Sequence, residues 1–142
     1  MPAPAITRVV VRPVVAPLPR PLRTASGMME SAPLVLVDIE TSAGITGHAY
    51  AFAYTPVLLG ARARLTGEVG PLLEGRALFP ADLTRWLRGR FVIAGTSGLL
   101  DMALAVLDIA AWDAHAKLAG LPLARLLGGD VAPLPAYASF GM

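Results

Sequence analysis

Residues Ser31–Pro56 read SAPLVLVDIETSAGITGHAYAFAYTP, and their pattern decides what kind of domain this is. Leu34–Thr41 and Ile45–Tyr54 are rich in β-branched and aromatic residues and are joined by Ser42-Ala43-Gly44, where glycine can take the positive φ of a short turn. The spacing predicts a β-hairpin whose second strand ends in Tyr50, Phe52 and Tyr54 at a Thr-Pro turn. Upstream, Ile6–Val15 is valine-rich with interspersed arginines, a half-buried strand that Pro13 places at an edge or ends. Pro17, Pro19, Pro21 and Gly27 predict a loop between these strands, and Leu18, Leu22, Met28 and Met29 make it an apolar one. Three antiparallel strands therefore come first.

Downstream the period changes to helical. Pro56 to about Leu73 predicts a weak or broken helix because it contains Gly60, Gly67, Gly70 and Pro71, and Ala81 to about Gly89 predicts a second. Ser97–Ala119 carries the strongest signal: Ser97 as N-cap, Gly120 and Pro122 beyond its end, and a stripe of Leu100, Leu104, Leu107, Ala111, Ala114 and Leu118. Strands followed by helices make an α+β domain. After Gly128-Gly129, Pro133–Ser139 reads as one more strand.

Composition excludes several functions. The net charge of +2 comes from eleven scattered arginines and Lys117, with no basic tract for nucleic acid. There is no cysteine, hence no disulfide framework, thiolate zinc site or cysteine nucleophile. Arg8, Arg12, Arg20 and Arg23 interrupt the apolar runs of a signal peptide, so a cytoplasmic protein is expected. The mean hydropathy of +0.60 is high. Yet Thr41–Ala61, 21 residues without Asp, Glu, Lys or Arg, includes Gly44, Gly47, His48 and Pro56 and alternates like a strand, so no membrane partner is expected. Burial against a partner domain accounts for the excess.

No local reaction centre emerges. Asp101, Asp108 and His115 share one helix face, but seven residues is about 10.5 Å of rise, too far for one metal. Asp113 and Lys117 are spaced for an i,i+4 surface ion pair, and His48, with no carboxylate near it in sequence, reads as structural. Trp112 is expected in the core. The glycines have no phosphate-loop spacing.

The hairpin, the segment SGLLDMALAVLDIAAWDAHAKLAGLPLARLLGG at Ser97–Gly129, and the PLPAYAS that follows together resemble the N-terminal part of the enolase superfamily, in its mandelate racemase and muconate-lactonising branch. The resemblance implies a capping domain, residues 1–129, over the mouth of a (β/α)-barrel, with 130–142 as linker and first barrel strand. The apolar loop Pro17–Met29 and the hairpin's aromatic tip would then be the two cap loops that close over substrate. By position in the motif, Leu22, Thr24, Met29 and Tyr54 resemble substrate-contacting residues, and Ser139 one near the substrate carboxylate. Met29 departs from the smaller aliphatic residue usual there.

The implied chemistry is abstraction of the proton α to a carboxylate, with Mg²⁺ stabilising the enediolate and lysine or histidine as base, as in racemisation of a 2-hydroxy acid such as mandelate. Its ligands and bases belong to later barrel strands, so no catalytic or metal residue is expected here. The expected partners are the small carboxylate substrate, the barrel and, for the complete enzyme, further copies in a homo-oligomer. A binding or oligomerisation module without catalysis is the alternative. An unpaired apolar strand at Pro133–Ser139 argues against it, because such a strand invites aggregation.

Overall fold

The computed structural model of the chain describes residues 3–24 and 27–137. Strands β1 (Ile6–Thr24), β2 (Gly27–Thr41) and β3 (Thr46–Phe52) form an antiparallel sheet in the order β1-β2-β3. On β2, Pro33, Val35, Val37, Ile39 and Thr41 are buried, while Leu34, Leu36, Asp38 and Glu40 between them are half-buried on the opposite face. This two-residue period is the alternation expected of the hairpin, and Gly44 takes φ +73° at its turn.

The prolines of β1 do not make a loop. β1 continues to Thr24 and pairs with the start of β2 as a two-stranded arm, with Leu22 opposite Met29 and Thr24 opposite Gly27. The edge position explains why. The Val9 N–H points away from β2 and donates to Glu74 Oε1 at 2.9 Å. Pro13 and Pro17 share its parity, so the N–H each lacks would have faced outward and no ladder bond is lost. Pro19 and Pro21 fall where the register shifts between Pro17 and Leu22.

Helix α1 (Pro56–Val69) starts with proline at N1 and Thr55 as N-cap, and gives way to a 3₁₀ turn, Gly70–Leu73, at Gly70-Pro71. Helix α2 (Pro80–Arg90) is followed by α3 (Gly98–Ala119), closed by Gly120 in the left-handed conformation, and a short α4 (Leu123–Leu126). The α3 stripe is buried from Leu104 to Ala114, while Leu118 is exposed. Ala103, Val106 and Ala110 are buried as well, because α3 packs against the sheet on one side and α1 and α2 on another. Trp112 is only half-buried, edge-on to His115 at 6.0 Å between ring centroids, so it borders the core rather than filling it.

The face of β3 toward α3 carries Gly47, Ala49, Ala51 and Ala53. A Cβ at Gly47 would stand 2.7 Å from Ala114 Cβ and strike the Ala110 carbonyl oxygen, so only glycine admits α3 at this distance. Two side chains clamp the pair: Asp113 Oδ2 accepts from the His48 N–H at 2.7 Å, and Lys117 Nζ donates to the Thr46 carbonyl at 3.0 Å. Asp113 and Lys117 are also 2.6 Å apart, so their expected surface pair fastens the helix to the sheet.

The strand expected at Pro133–Ser139 is not formed in its described part. Residues 131–137 are exposed and in neither strand nor helix. A strand is held by hydrogen bonds to a neighbour, and β1–β3 form the one sheet among the described residues, with this segment outside it. No helix among the described residues is long and apolar enough to cross a membrane.

Gly47→Ala should destabilise the chain by about 1–3 kcal/mol, because the Ala110 backbone cannot yield as a side chain would. Gly67→Ala on α1, where a Cβ meets nothing within 4 Å, should stabilise by about 0.5–1 kcal/mol. Thermal melts compare the two substitutions directly.

Candidate functional site: a cavity between the hairpin arm and the β3–α1 turn

β3 leaves the sheet through an unusual turn. Ala53 is fully buried and its N–H donates to the Pro33 carbonyl at 2.8 Å, holding the strand end against β2. The Thr55 N–H then reaches back across Tyr54 to the Ala53 carbonyl at 2.7 Å. This three-residue turn holds Tyr54 at φ +63°, where a tyrosine is strained by about 1–2 kcal/mol, and Pro56 starts α1 immediately after it. The Tyr54 ring, 55% exposed, lies edge-to-face with Phe52 at 6.2 Å. Strain of this kind gathers where a side chain must be aimed.

Tyr54 is aimed at the hairpin arm. A cavity of about 240 Å³ lies between the arm and the turn, lined by Thr24, Met28, Met29 and Glu30 on one side and Tyr54 and Thr55 on the other, with Gly27, Ser31 and Pro56 completing it. The arm tip is closed by Thr24 Oγ1 donating to the Gly27 carbonyl at 2.9 Å. Thr24, Met29 and Tyr54, distant in sequence and expected to contact substrate, are thus brought together. Leu22 does not line the cavity; it is Met29's register partner on β1, 41% exposed. Ser139 lies outside the described residues.

Sequence reasoning placed Met28 in the apolar loop without singling it out, and missed Glu30 and Ser31 because it read the arm as a loop and Thr55 because it lies in the turn. The available signal was the short run of small and polar residues from Thr24 to Gly27 between two apolar stretches.

The cavity is smaller than the roughly 300–1,000 Å³ of sites that enclose a drug-sized ligand, and it offers thioethers, one aromatic ring, hydroxyls and the Glu30 carboxylate. It can grip part of a small molecule while another surface holds the rest. No group of three or more His, Cys, Asp or Glu among the described residues could hold a metal. Asp101, Asp108 and His115 go separate ways: Asp101 pairs with Arg88 at 2.6 Å, Asp108 accepts from Thr84, and His115 Nδ1 is buried without a partner.

His48 does have a carboxylate partner, and it comes from across the sheet. Asp38 is its register partner on β2, and Asp38 Oδ1 meets His48 Nδ1 at 2.7 Å while Oδ2 meets Arg12 Nη2 at 2.5 Å. Burial raises the Asp38 carboxyl, but hydrogen bonds and charge from His48 and Arg12 overcome it, so Asp38 titrates below its ordinary 3.8. Asp113 is likewise lowered: burial raises it, and the Lys117 side chain and the His48 N–H outweigh that.

The family model for the N-terminal domain of mandelate racemase / muconate lactonizing enzymes matches residues 6–128. The chain belongs to that family. Among solved structures, an enolase from Bradyrhizobium complexed with magnesium and mandelic acid is 47% identical, covers 96% of this chain and superposes with a TM-score of 0.91. The L-talarate dehydratase of Polaromonas sp. JS666, complexed with Mg and L-glucarate, is 30% identical over 89% of the chain with a TM-score of 0.75. A D-galactonate dehydratase family member from Catenulispora acidiphila is 39% identical over 105 residues, 70% of this chain. The chain spans 38%, 35% and 23% of those three proteins, respectively. The three-stranded sheet followed by helices is the family's N-terminal capping domain.

Two measurements test this geometry. Because Asp38 and Asp113 are depressed in the folded state, the stability they contribute is present at neutral pH and lost as pH falls below about 4. Asp38→Asn should therefore melt lower than wild type at pH 7, with the gap closing toward about pH 3. At the turn, Tyr54→Gly should be more stable than Tyr54→Ala by about 1 kcal/mol, because both lose the ring and only alanine keeps the left-handed strain.

Proposed function

We propose that this domain is the specificity cap of an enzyme that abstracts the proton α to a carboxylate, racemising a 2-hydroxy acid such as mandelate. One observation carries the reading: the cavity joins Thr24 and Met29 of the arm to Tyr54 of the β3–α1 turn. Such a surface contacts the non-reacting substituent of a substrate and excludes water from it. The likeness to a protein complexed with magnesium and mandelic acid supports the substrate class. In this reading residues 1–129 are the cap, 130–142 lead into the first barrel strand, and Ser139 stands near the substrate carboxylate.

Mg²⁺, when bound, would stabilise the enediolate, and its ligands belong to the barrel rather than to residues described here. This chain's part is to bind and to orient. Met28, Met29 and the Tyr54 ring pack on an apolar substituent, Leu22 stands beside Met29 on the same face of the arm, and Glu30 and Thr55 supply polar groups. A cytoplasmic, homo-oligomeric complete enzyme belongs to the same reading, and the cysteine-free chain suits a reducing compartment.

The polar half of the lining supports a second reading. Hydroxyls and a carboxylate there suit a polyhydroxylated acid, and dehydratases acting on sugar acids stand among the relatives. The two readings differ in which substituent the cap meets.

The 142-residue chain with Mg²⁺ in deuterated buffer should leave the α-proton of mandelate unexchanged by NMR. Sequencing the source DNA past the codon for Met142 should find a frame continuing into a barrel, and that longer product should exchange the proton until a chelator is added. Dehydration of galactarate without mandelate exchange would select the second reading. Chelator-sensitive exchange by the 142-residue chain alone would overturn both.

A further inference from the structure

Among the described residues, Arg62 on α1 is a buried cation without an anion. It is 8% exposed; Nη1 donates to the Phe52 carbonyl, Nη2 faces the Met102 thioether, and Nε has no hydrogen-bond partner. No carboxylate among the described residues comes within ion-pair distance of it. A thioether is a weak acceptor, and a buried charge is costly unless paired, so this guanidinium is poised for a carboxylate from elsewhere.

The place for one is open beside it. Arg62 lines a groove of about 270 Å³ between β3 and α3, walled by Tyr50, Phe52, Met102, Val106 and Ile109. Tyr50 is 65% exposed, Ile109 51% and Met102 46%, an apolar surface continuous around the charge.

The third element is backbone. In β3 the even-numbered residues turn their N–H and C=O groups to the outer edge: the Thr46 carbonyl goes to Lys117, the His48 N–H to Asp113 and the Phe52 carbonyl to Arg62. Tyr50 shares that parity and faces the groove. Among the described residues no side chain caps either of its outward groups, so the edge is open at the groove.

We propose that this groove receives an extended segment of another polypeptide, in which an aspartate or glutamate between apolar residues pairs with Arg62 while the segment's main chain bonds the β3 edge at Tyr50. A free small acid would satisfy the charge alone. A peptide satisfies the charge, the apolar walls and the open edge together.

The test is an NMR titration of the ¹⁵N-labelled 142-residue chain with acetyl-Val-Leu-Asp-Leu-Val-amide, its Asp→Asn counterpart, and acetate. The Asp peptide should shift the Tyr50 amide and the Arg62 Nε–H resonance and bind at least tenfold more tightly than the Asn peptide. Equal binding of the two peptides, or shifts confined to other residues, overturns the proposal. So do the same shifts on adding acetate, which would reduce the site to a small-acid receptor, or on raising protein concentration alone, which would make the occupant a second copy. Met102→Glu offers Arg62 a carboxylate from within the chain. It should raise Tm and weaken the Asp peptide at least tenfold, whereas a lowered Tm with unchanged peptide affinity counts against the assignment.

Discussion

The approach of β3 to α3 at Gly47 governs the placement of everything downstream. There the helix backbone lies so near the strand that a methyl group would collide with a carbonyl oxygen. Asp113 and Lys117 then fix the helix along the strand by bonds to backbone atoms of His48 and Thr46, so the register does not depend on apolar packing alone. Hydrophobic burial is non-directional; these two clamps and one glycine supply direction.

With β3 held, its end is held as well. Ala53 is tied to Pro33, and the chain must turn within three residues to start α1 at Pro56. Tyr54 takes the strained conformation that this requires and stands across from the arm of β1 and β2. The arm is made by the same sheet whose register the Arg12–Asp38–His48 set ties across three strands. The cavity is thus a consequence of sheet geometry: its two walls, the arm and the turn that ends β3, lie at the same end of one three-stranded sheet.

Much of this was legible in the sequence. The alternation in Leu34–Thr41, Gly44 at the turn, the break at Gly70-Pro71 and the end of α3 at Gly120 each follow from local rules that tertiary packing reinforced, while Ser97 stands at the N-cap position without a side-chain capping bond. The arm was not legible, because proline is read as a strand breaker and its edge parity becomes visible only once β1 is paired. His48 seemed to lack a carboxylate for the same reason: Asp38, ten residues away in sequence, is opposite it only in the hairpin register. The predicted contact residues came from the family resemblance; pairing brought Thr24, Met29 and Tyr54 together around the cavity and placed Leu22 beside Met29 on the same face of the arm, outside the lining. Trp112 was misplaced because its helix has packed and open sides that a single apolar stripe does not separate.

The central claim is that the arm and the β3–α1 turn jointly hold the substrate's non-reacting end. The most direct measurement is a crystal structure, with Mg²⁺ and mandelate, of this domain within the barrel-containing enzyme proposed above. The account predicts the Met29 side chain and the Tyr54 ring on opposite sides of the phenyl group, each in van der Waals contact with it. A ligand bound with neither residue touching it, and the arm standing away from the barrel mouth, would contradict the account.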